Sequence, residues 1–302
     1  MSMLRTLCRN VLCAATVVAG AVAGSQAPQS VSARPIAATA PVQFAVIGDS
    51  GTGATEQYDV AAAMATSRDR LPFKLVIMLG DNVYGGWSRK AVVEKFERPY
   101  KPLLDAGVQF YASLGNHDAG EERSYGGFHM DERRYYTFTR ANVDFFALDS
   151  NYMDGSQLAW LEQALQASRA PWKIAFFHHP LYSSGGRHGS EKDLRRLLEP
   201  LLIRYGVQVV FSGHDHVYER VKPQHGITYF VCGSSGELRR GNLDKRSDLT
   251  AAGFDLDRAF MLVDIADDTL HFQAISRTNT VVDSGQITLA APVSPSASVP
   301  SP

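Results

Sequence analysis

Residues 207–216 read Val-Gln-Val-Val-Phe-Ser-Gly-His-Asp-His. A β-branched, apolar run of strand length breaks abruptly into glycine and then into residues that bind metals or move protons. A run so rich in apolar residues is expected where a strand is covered on both faces, as in a sheet flanked by other layers. The glycine lets the chain turn sharply where it leaves the sheet. The same grammar occurs four more times. Residues 44–47 lead into Gly48-Asp49, 75–79 into Gly80-Asp81, and 111–114 into Gly115-Asn116-His117, while 174–177 run directly into His178. In open α/β sheets, ligands bind beyond the carboxyl ends of the strands. Five strand ends are therefore expected to share one rim and one pocket.

The rest of the chain fits that frame. Between strand-like runs at 42–47, 74–79, 108–114, 143–148, 173–177 and 207–211, residues 57–70, 88–96, 157–168 and 191–205 carry apolar side chains three or four apart. That is the spacing of helices that bury one face. Strand alternating with helix predicts α/β layering. Beyond Thr228 the helical spacing stops, and 229–232, 260–265, 270–275 and 281–289 read as further strands, with Asp267-Asp268 as a hairpin turn. Tyr135, Tyr136 and Phe138 alternate with Thr137 and Thr139, which predicts strand packing. Trp160 is expected in the core and Cys232 as a buried strand thiol. His129, His225 and His271 have no partner spacing and read as structural.

The 302-residue chain is 45% hydrophobic and 20% charged, which excludes collagen-like, coiled-coil and broadly disordered classes. Thirty Lys plus Arg against thirty-one Asp plus Glu give a net charge of -1, so no nucleic-acid partner is expected. Residues 1–10 hold Arg5 and Arg9 and no acid, and an uncharged stretch at 11–24 ends in small residues. That order predicts a cleaved signal peptide over 1–27, with Ala21-Val22-Ala23 and Ser25-Gln26-Ala27 as cleavage sites, and hence a secreted or periplasmic protein. The apolar stretch is shorter than the roughly 20 residues that span a bilayer, and Cys13 follows Val11 and Leu12 rather than a small residue. No stable membrane anchor is expected. With Cys8 and Cys13 in the signal, Cys232 has no disulfide partner. Residues 28–41 read as a linker and 291–302 as a disordered Pro/Ser-rich tail, which leaves 42–290 as the folded domain.

Asp, Asn, His and Tyr84 make a ligand set of oxygen and imidazole donors without thiolate, suited to iron, zinc or manganese. Seven or eight candidate donors are more than one tetrahedral zinc takes. Two ions sharing a bridging carboxylate would use them all. Such pairs, roughly 3.5 to 4 Å apart, recur in phosphoester hydrolysis, where they activate water and neutralise phosphate oxygens.

Gly48-Asp49-Ser50-Gly51, Gly80-Asp81-Asn82-Val83-Tyr84, Gly115-Asn116-His117-Asp118, His178-His179-Pro180 and Gly213-His214-Asp215-His216 resemble the five ordered blocks of the calcineurin-like metallophosphoesterases. Tyr84, three residues after Asp81, is similar to the second block of the purple acid phosphatases, and the chain most resembles their small, tartrate-resistant acid phosphatase type. The resemblance covers essentially all of 42–290. It implies a four-layer α/β/β/α sandwich with mixed sheets and an active site at the carboxyl ends of strands. It implies that Asp49, Asp81, Tyr84 and His216 hold Fe(III), while Asn116, His178 and His214, with Asp81 bridging, hold a divalent ion (Fe, Zn or Mn). In the H-x-P block, His178 is then the ligand and His179 is not. His117 corresponds to a residue that acts on the substrate phosphate and leaving group, and His188, before Gly189, to a second catalytic histidine. Asp118 and Asp215 read as supporting or turn residues. The implied activity is that of an exported acid phosphatase, cleaving small-molecule phosphate monoesters by attack of a metal-bound hydroxide.

Two other functions fit parts of the pattern. A phosphodiesterase acting on cyclic nucleotides or phospholipid head groups would use the same two-metal core, but diesterase branches of the superfamily generally lack a counterpart of Tyr84. A non-catalytic extracytoplasmic binding protein would be expected to lack ligands, and every expected one is present. Tyr152, Arg187 and Arg239 are further residues able to reach a substrate.

Overall fold

The computed structural model describes residues 40–289. The expected signal peptide with Cys8 and Cys13, all but the last two residues of the linker, and the tail lie outside the described residues. The apolar runs that end in polar residues are strands, and they fall into two sheets. β1 (Val42–Ile47), β2 (Leu75–Met78) and β3 (Gln109–Ala112) lie parallel, with Phe44 opposite Leu75 and Ile77 opposite Tyr111. A second parallel run is formed by β5 (Val143–Ala147), β6 (Trp172–Phe176), β7 (Val209–Ser212) and β9 (Thr228–Cys232). Antiparallel strands complete both. β11 (Ala259–Ala266), β12 (Thr269–Ser276) and β13 (Val281–Thr288) extend the first sheet to the order β13-β12-β11-β1-β2-β3. With β4 (Tyr136–Arg140), β8 (Tyr218–Val221) and β10 (Thr250–Phe254), the second sheet has the order β10-β8-β9-β7-β6-β5-β4.

Because successive side chains leave a strand on opposite faces, neighbouring residues in the second sheet are sorted into different layers. Phe145, Ile174, Phe176, Val209 and Phe211 face the first sheet. Their chain neighbours Phe146, Ala175, Phe177 and Val210 face the helices α4 (Gly155–Ala167) and α5 (Lys192–Arg204), where Leu161, Leu165, Leu194, Leu198 and Leu202 cover them. This is why the strands read as continuous apolar runs. Between the sheets, Phe44 meets Phe145 edge-on at 5.4 Å and Phe211 at 6.1 Å. On the far side of the first sheet, α1 (Thr55–Ser67) buries Val60, Ala61, Ala63 and Met64. The α/β/β/α layering and mixed sheets are those expected. Truncating Phe44, fully buried at the centre, would cost about 3–5 kcal/mol.

The helix expected at 88–96 begins at α2 (Arg89–Val92), capped by Ser88 Oγ accepting from the Ala91 amide at 3.0 Å, and continues as a wider π-type turn, Val93–Glu97. A short helix, α3 (Lys101–Asp105), precedes β3. Ala266 pairs with Thr269, so Asp267-Asp268 is the predicted two-residue turn. Trp160 departs from expectation. Leu161 and Leu165 take the inward positions of α4, and Trp160 is half-buried at its side with its ring 4.8 Å from Tyr135. β8 and β10 carried no period-two signal. No helix among the described residues is long and apolar enough to cross a membrane.

Candidate metal centre

Asp49 follows β1, Asp81 follows β2, Asn116 follows β3, His178 follows β6 and His214 follows β7. All five strand ends open on the same rim. The turns there are tight. Asp49 and Asp81 each have φ of 53° and His214 has φ of 67°, all in the left-handed region. Gly115 and Gly213 lie against the carboxylates of Asp81 and Asp49, where a Cβ would collide. The rim is tied across the two sheets: the Asp49 amide donates to Gly80 O at 3.0 Å, the Gly213 amide to His178 O at 2.9 Å, and His178 Nδ1 lies 2.9 Å from Leu79 O.

The candidate ligands fall into two groups. Asp49, Asp81 and His216 present ligand atoms within 4.8 Å of one another. Tyr84 joins them, its Oη 3.3 Å from Asp49 Oδ1 and 3.4 Å from His216 Nε2. In the second group His178 Nε2 lies 2.9 Å from Asn116 Oδ1, 3.1 Å from His214 Nδ1 and 3.6 Å from Asp81 Oδ1. Asp81 adjoins both groups.

The donor chemistry fits metal ions. Leu79 O can only accept, so His178 Nδ1 carries the proton and Nε2 presents a lone pair. That lone pair faces the side-chain oxygens of Asn116 and Asp81. Burial, reinforced by the nearby His179, holds His178 well below the ordinary imidazole range, so a second proton does not fill the gap. Ring nitrogens and side-chain oxygens brought this close around one point make a donor set for a cation. Oxygen and imidazole donors in this mixture suit iron, zinc or manganese.

Burial pushes the Asp49 carboxyl up to about 7, with Asp81 adding to the effect and His216 opposing it. Burial and the charges of His178, His179 and His188 push His214 down to about 2. Tyr84 is held far above the ordinary phenol range by burial and by Asp49 and Asp81, so a phenolate there requires a neighbouring cation.

His117 is exposed at the rim, its ring 5.0 Å from that of Tyr84 and its amide donating to Asp81 Oδ1 at 2.9 Å. His188 is exposed on the other side, its ring 4.1 Å from that of His214. Asp118, half-buried, and Asp215, fully buried, act as clamps. Asp118 accepts from the amides of Asn82, Val83 and Gly115 at 2.7, 3.2 and 2.8 Å, joining two ligand loops. Asp215 accepts from Ser183 Oγ at 2.6 Å and the amides of His188 and Gly189 at 3.3 and 3.0 Å, which fixes the His188 loop.

One residue falls inside the cluster that the sequence pattern left outside. His179 offers a ring nitrogen within 4.8 Å of the ligand atoms of His178 and His214, and its Nδ1 lies 2.9 Å from Ser150 Oγ. Adjacent histidines point apart only while the strand continues, and β6 ends at Phe176. A cavity of about 650 Å³ opens beside Asn116 and His179, with Ser150, Asn151, Tyr152 and Arg134 in its wall. Of the residues singled out for substrate reach, Tyr152 is on that side, while Arg187 and Arg239 are on the His188 side. His129 Nδ1 pairs with Phe110 O at 2.8 Å, away from the rim.

The calcineurin-like phosphoesterase family model matches residues 42–218. Among curated proteins, purple acid phosphatase 17 of Arabidopsis thaliana is 28% identical over 240 residues, 67% of this chain and 71% of that protein. Tartrate-resistant acid phosphatase type 5 of Oryctolagus cuniculus is 23% identical over 253 residues, 70% of this chain and 78% of that one. Two solved structures share the fold. Purple acid phosphatase PPD1 of yellow lupin superposes with a TM-score of 0.72 at 18% identity, covering 87% of this chain and 58% of that chain. GAP50, described as the anchor in the inner membrane complex of Plasmodium, gives 0.73 at 19%, covering 83% and 90%.

Proposed function

The chain belongs to the calcineurin-like phosphoesterase family, and from that premise we propose that it is an exported purple acid phosphatase acting on small phosphate monoesters. Its curated relatives make it a metal-dependent phosphoric monoester hydrolase. The observation that carries the finer reading is the meeting of Asp49, Tyr84 and His216 in one group and Asn116, His178 and His214 in another, with Asp81 between them. Asp49, Asp81, Tyr84 and His216 would hold the ferric ion, and Asn116, His178, His214 and Asp81 the divalent one. When bound, such ions supply Lewis acidity that offsets phosphate charge and makes water acidic enough to act as a nucleophile.

The chain's own residues account for the rest. Asp81 fixes the spacing of the two groups. Leu79 O orients His178 so that Nε2 faces the site. His117 and His188 stand on opposite sides, free of the ligand groups and exposed to an incoming ester, as phosphate binding and leaving-group protonation require. Tyr84 speaks for the monoesterase branch over the diesterase one. Export rests on residues 1–27 alone, and N-terminal sequencing of the protein recovered outside the cytoplasm tests it.

Metal analysis and a visible spectrum of purified, tag-free protein test the centre. Two metals per chain and a tyrosinate-to-ferric band are expected. A colourless protein holding only zinc or manganese, yet fully active, would overturn the ferric assignment and leave the family intact. Absence of nitrophenyl phosphate hydrolysis with both metals bound would overturn the activity.

A further inference from the structure

The segment from Gly233 to Asp244 has no motif, yet it is pinned to the metal rim along its length. The Ser235 amide donates to Gly48 O at 3.1 Å, the Glu237 amide to Asp49 O at 2.9 Å and the Arg239 amide to His216 O at 2.9 Å. Its far end pairs with the glycine-rich loop that carries His188. There the Gly186 amide donates to Asn242 O at 2.7 Å, the Asp244 amide donates to Ser184 O at 2.9 Å, and Gly185 and Leu243 form an isolated antiparallel bridge. One wall thus runs from the first ligand block to the second catalytic histidine.

Two side chains of that wall carry buried donors with nothing to bond. Arg239 Nε and Asn242 Nδ2 have no hydrogen-bond partner, and no carboxylate among the described residues forms an ion pair with Arg239. The two residues share a turn in which the Asn242 amide donates to Arg239 O at 3.2 Å. Both residues are half-buried, with these single nitrogens shut away from water, and buried donors are almost always satisfied. Three other half-buried arginines, Arg220, Arg258 and Arg277, each meet a carboxylate. Two unsatisfied donors of one wall, beside the ligand groups, call for an acceptor that arrives with the substrate.

We propose that Arg239, assisted by Asn242 Nδ2, binds oxygens of the substrate's phosphoryl group and of the orthophosphate product, as a phosphate-binding residue outside the metal ligand set. Arginine suits the role because its planar fork matches a tetrahedral oxyanion. The inference rests on the phosphatase reading above.

Orthophosphate itself is the probe. With both metals loaded, calorimetry should show Arg239→Gln binding orthophosphate about 10- to 100-fold more weakly than wild type, the span expected for a lost charge-assisted bond. KM for nitrophenyl phosphate should rise in step, with two metals retained. Since Arg239 Nε has no partner to lose, the melting temperature without orthophosphate should not fall, while the rise on adding orthophosphate should shrink. Unchanged orthophosphate affinity in Arg239→Gln, with an active wild type, would overturn this inference alone. Loss of a metal in that variant would also overturn it, by making Arg239 a support of His216. A doubly loaded wild type that neither binds orthophosphate nor cleaves the ester would remove the phosphatase reading and this inference with it.

Discussion

The two ligand groups face each other across Asp81 but are built from opposite chemistry. Asp49, Asp81 and Tyr84 crowd oxygen acceptors together, and burial drives the Asp49 carboxyl up towards neutrality. His178, His179 and His214 crowd imidazoles, and burial with mutual repulsion drives His214 down to about 2. Each group resists its own charge, one negative and the other positive. The oxygen group can concentrate formal negative charge around a trivalent ion, whereas the imidazole group offers neutral donors to a divalent one. In the proposed ferric and divalent assignment, this division alone sorts the two ions.

Asp81 is where the division can be broken. Asp81→Asn keeps the volume and removes the shared charge, so both groups should lose metal and turnover should fall by on the order of 10³-fold or more. Metal stoichiometry with a rate measurement checks this, and near wild-type turnover with both metals bound would show that Asp81 is not the bridge. Next in size are the histidines outside either group. His117→Ala and His188→Ala should keep two metals and lose roughly 10²- to 10³-fold in turnover. The loss should be larger for an alkyl phosphate, which needs a proton on its leaving group, than for nitrophenyl phosphate. Equal losses on the two esters would rule out proton donation. Tyr84→Phe sharpens the comparison from the oxygen side only. The visible band should vanish while the imidazole group keeps its ion, as a spectrum paired with metal analysis would show.

The smallest effect extends the oxygen side outward. Glu122 is fully buried next to Asp118, and burial first, then Asp118, pushes its carboxyl up to about 10. A raised carboxyl favours folding fully below its ordinary range, and that contribution is lost as pH rises towards the folded value. Glu122→Gln has no such dependence. Relative to wild type it should therefore gain about 1 kcal/mol for each pH unit between 5 and 7. Denaturant titrations of both proteins at pH 5, 6 and 7 measure the difference, and parallel curves would show that Glu122 ionises without penalty.

Much of the cluster was legible because each candidate ligand sits within a few residues of the strand that carries it. Gly48-Asp49 and Gly213-His214 announce themselves locally, since a strand end, a glycine and a polar residue are neighbours in sequence. His179 was not legible as a member of the imidazole group, because its place depends on how the chain bends after Phe176 and on Ser150, 29 residues away. Arg239 could be named as a residue able to reach a substrate, but the wall that positions it left no local signal. Its contacts join Gly48, Asp49, His216 and Ser184, distant in sequence, and they are made by backbone groups that every residue shares. β8 and β10 were missed for a related reason. Tyr218–Val221 is short and buried at three of four positions, and Thr250–Phe254 alternates in burial at the sheet edge, but its residues, Thr-Ala-Ala-Gly-Phe, do not alternate in polarity. Trp160 shows the limit of hydrophobicity as a guide to depth, since a large ring on the flank of a helix can be half covered by one aromatic neighbour.

Asp49, Asp81 and His214 adopt a backbone conformation that glycine takes at no cost and that other L-residues take at roughly 1–2 kcal/mol each. The Asp49 and Asp81 carboxylates accept from the His214 and His117 amides, each at 2.9 Å, so asparagine could keep those turns, whereas no backbone amide among the described residues donates to the His214 side chain. A descendant of this protein that ceased to handle metals would be free to place asparagine at 49 and 81 and glycine at 214, and would become more robust by the last of these. Catalysis is thus the first property this architecture would shed under relaxed selection and the scaffold the last, which makes the fold a ready source of inactive descendants with new roles.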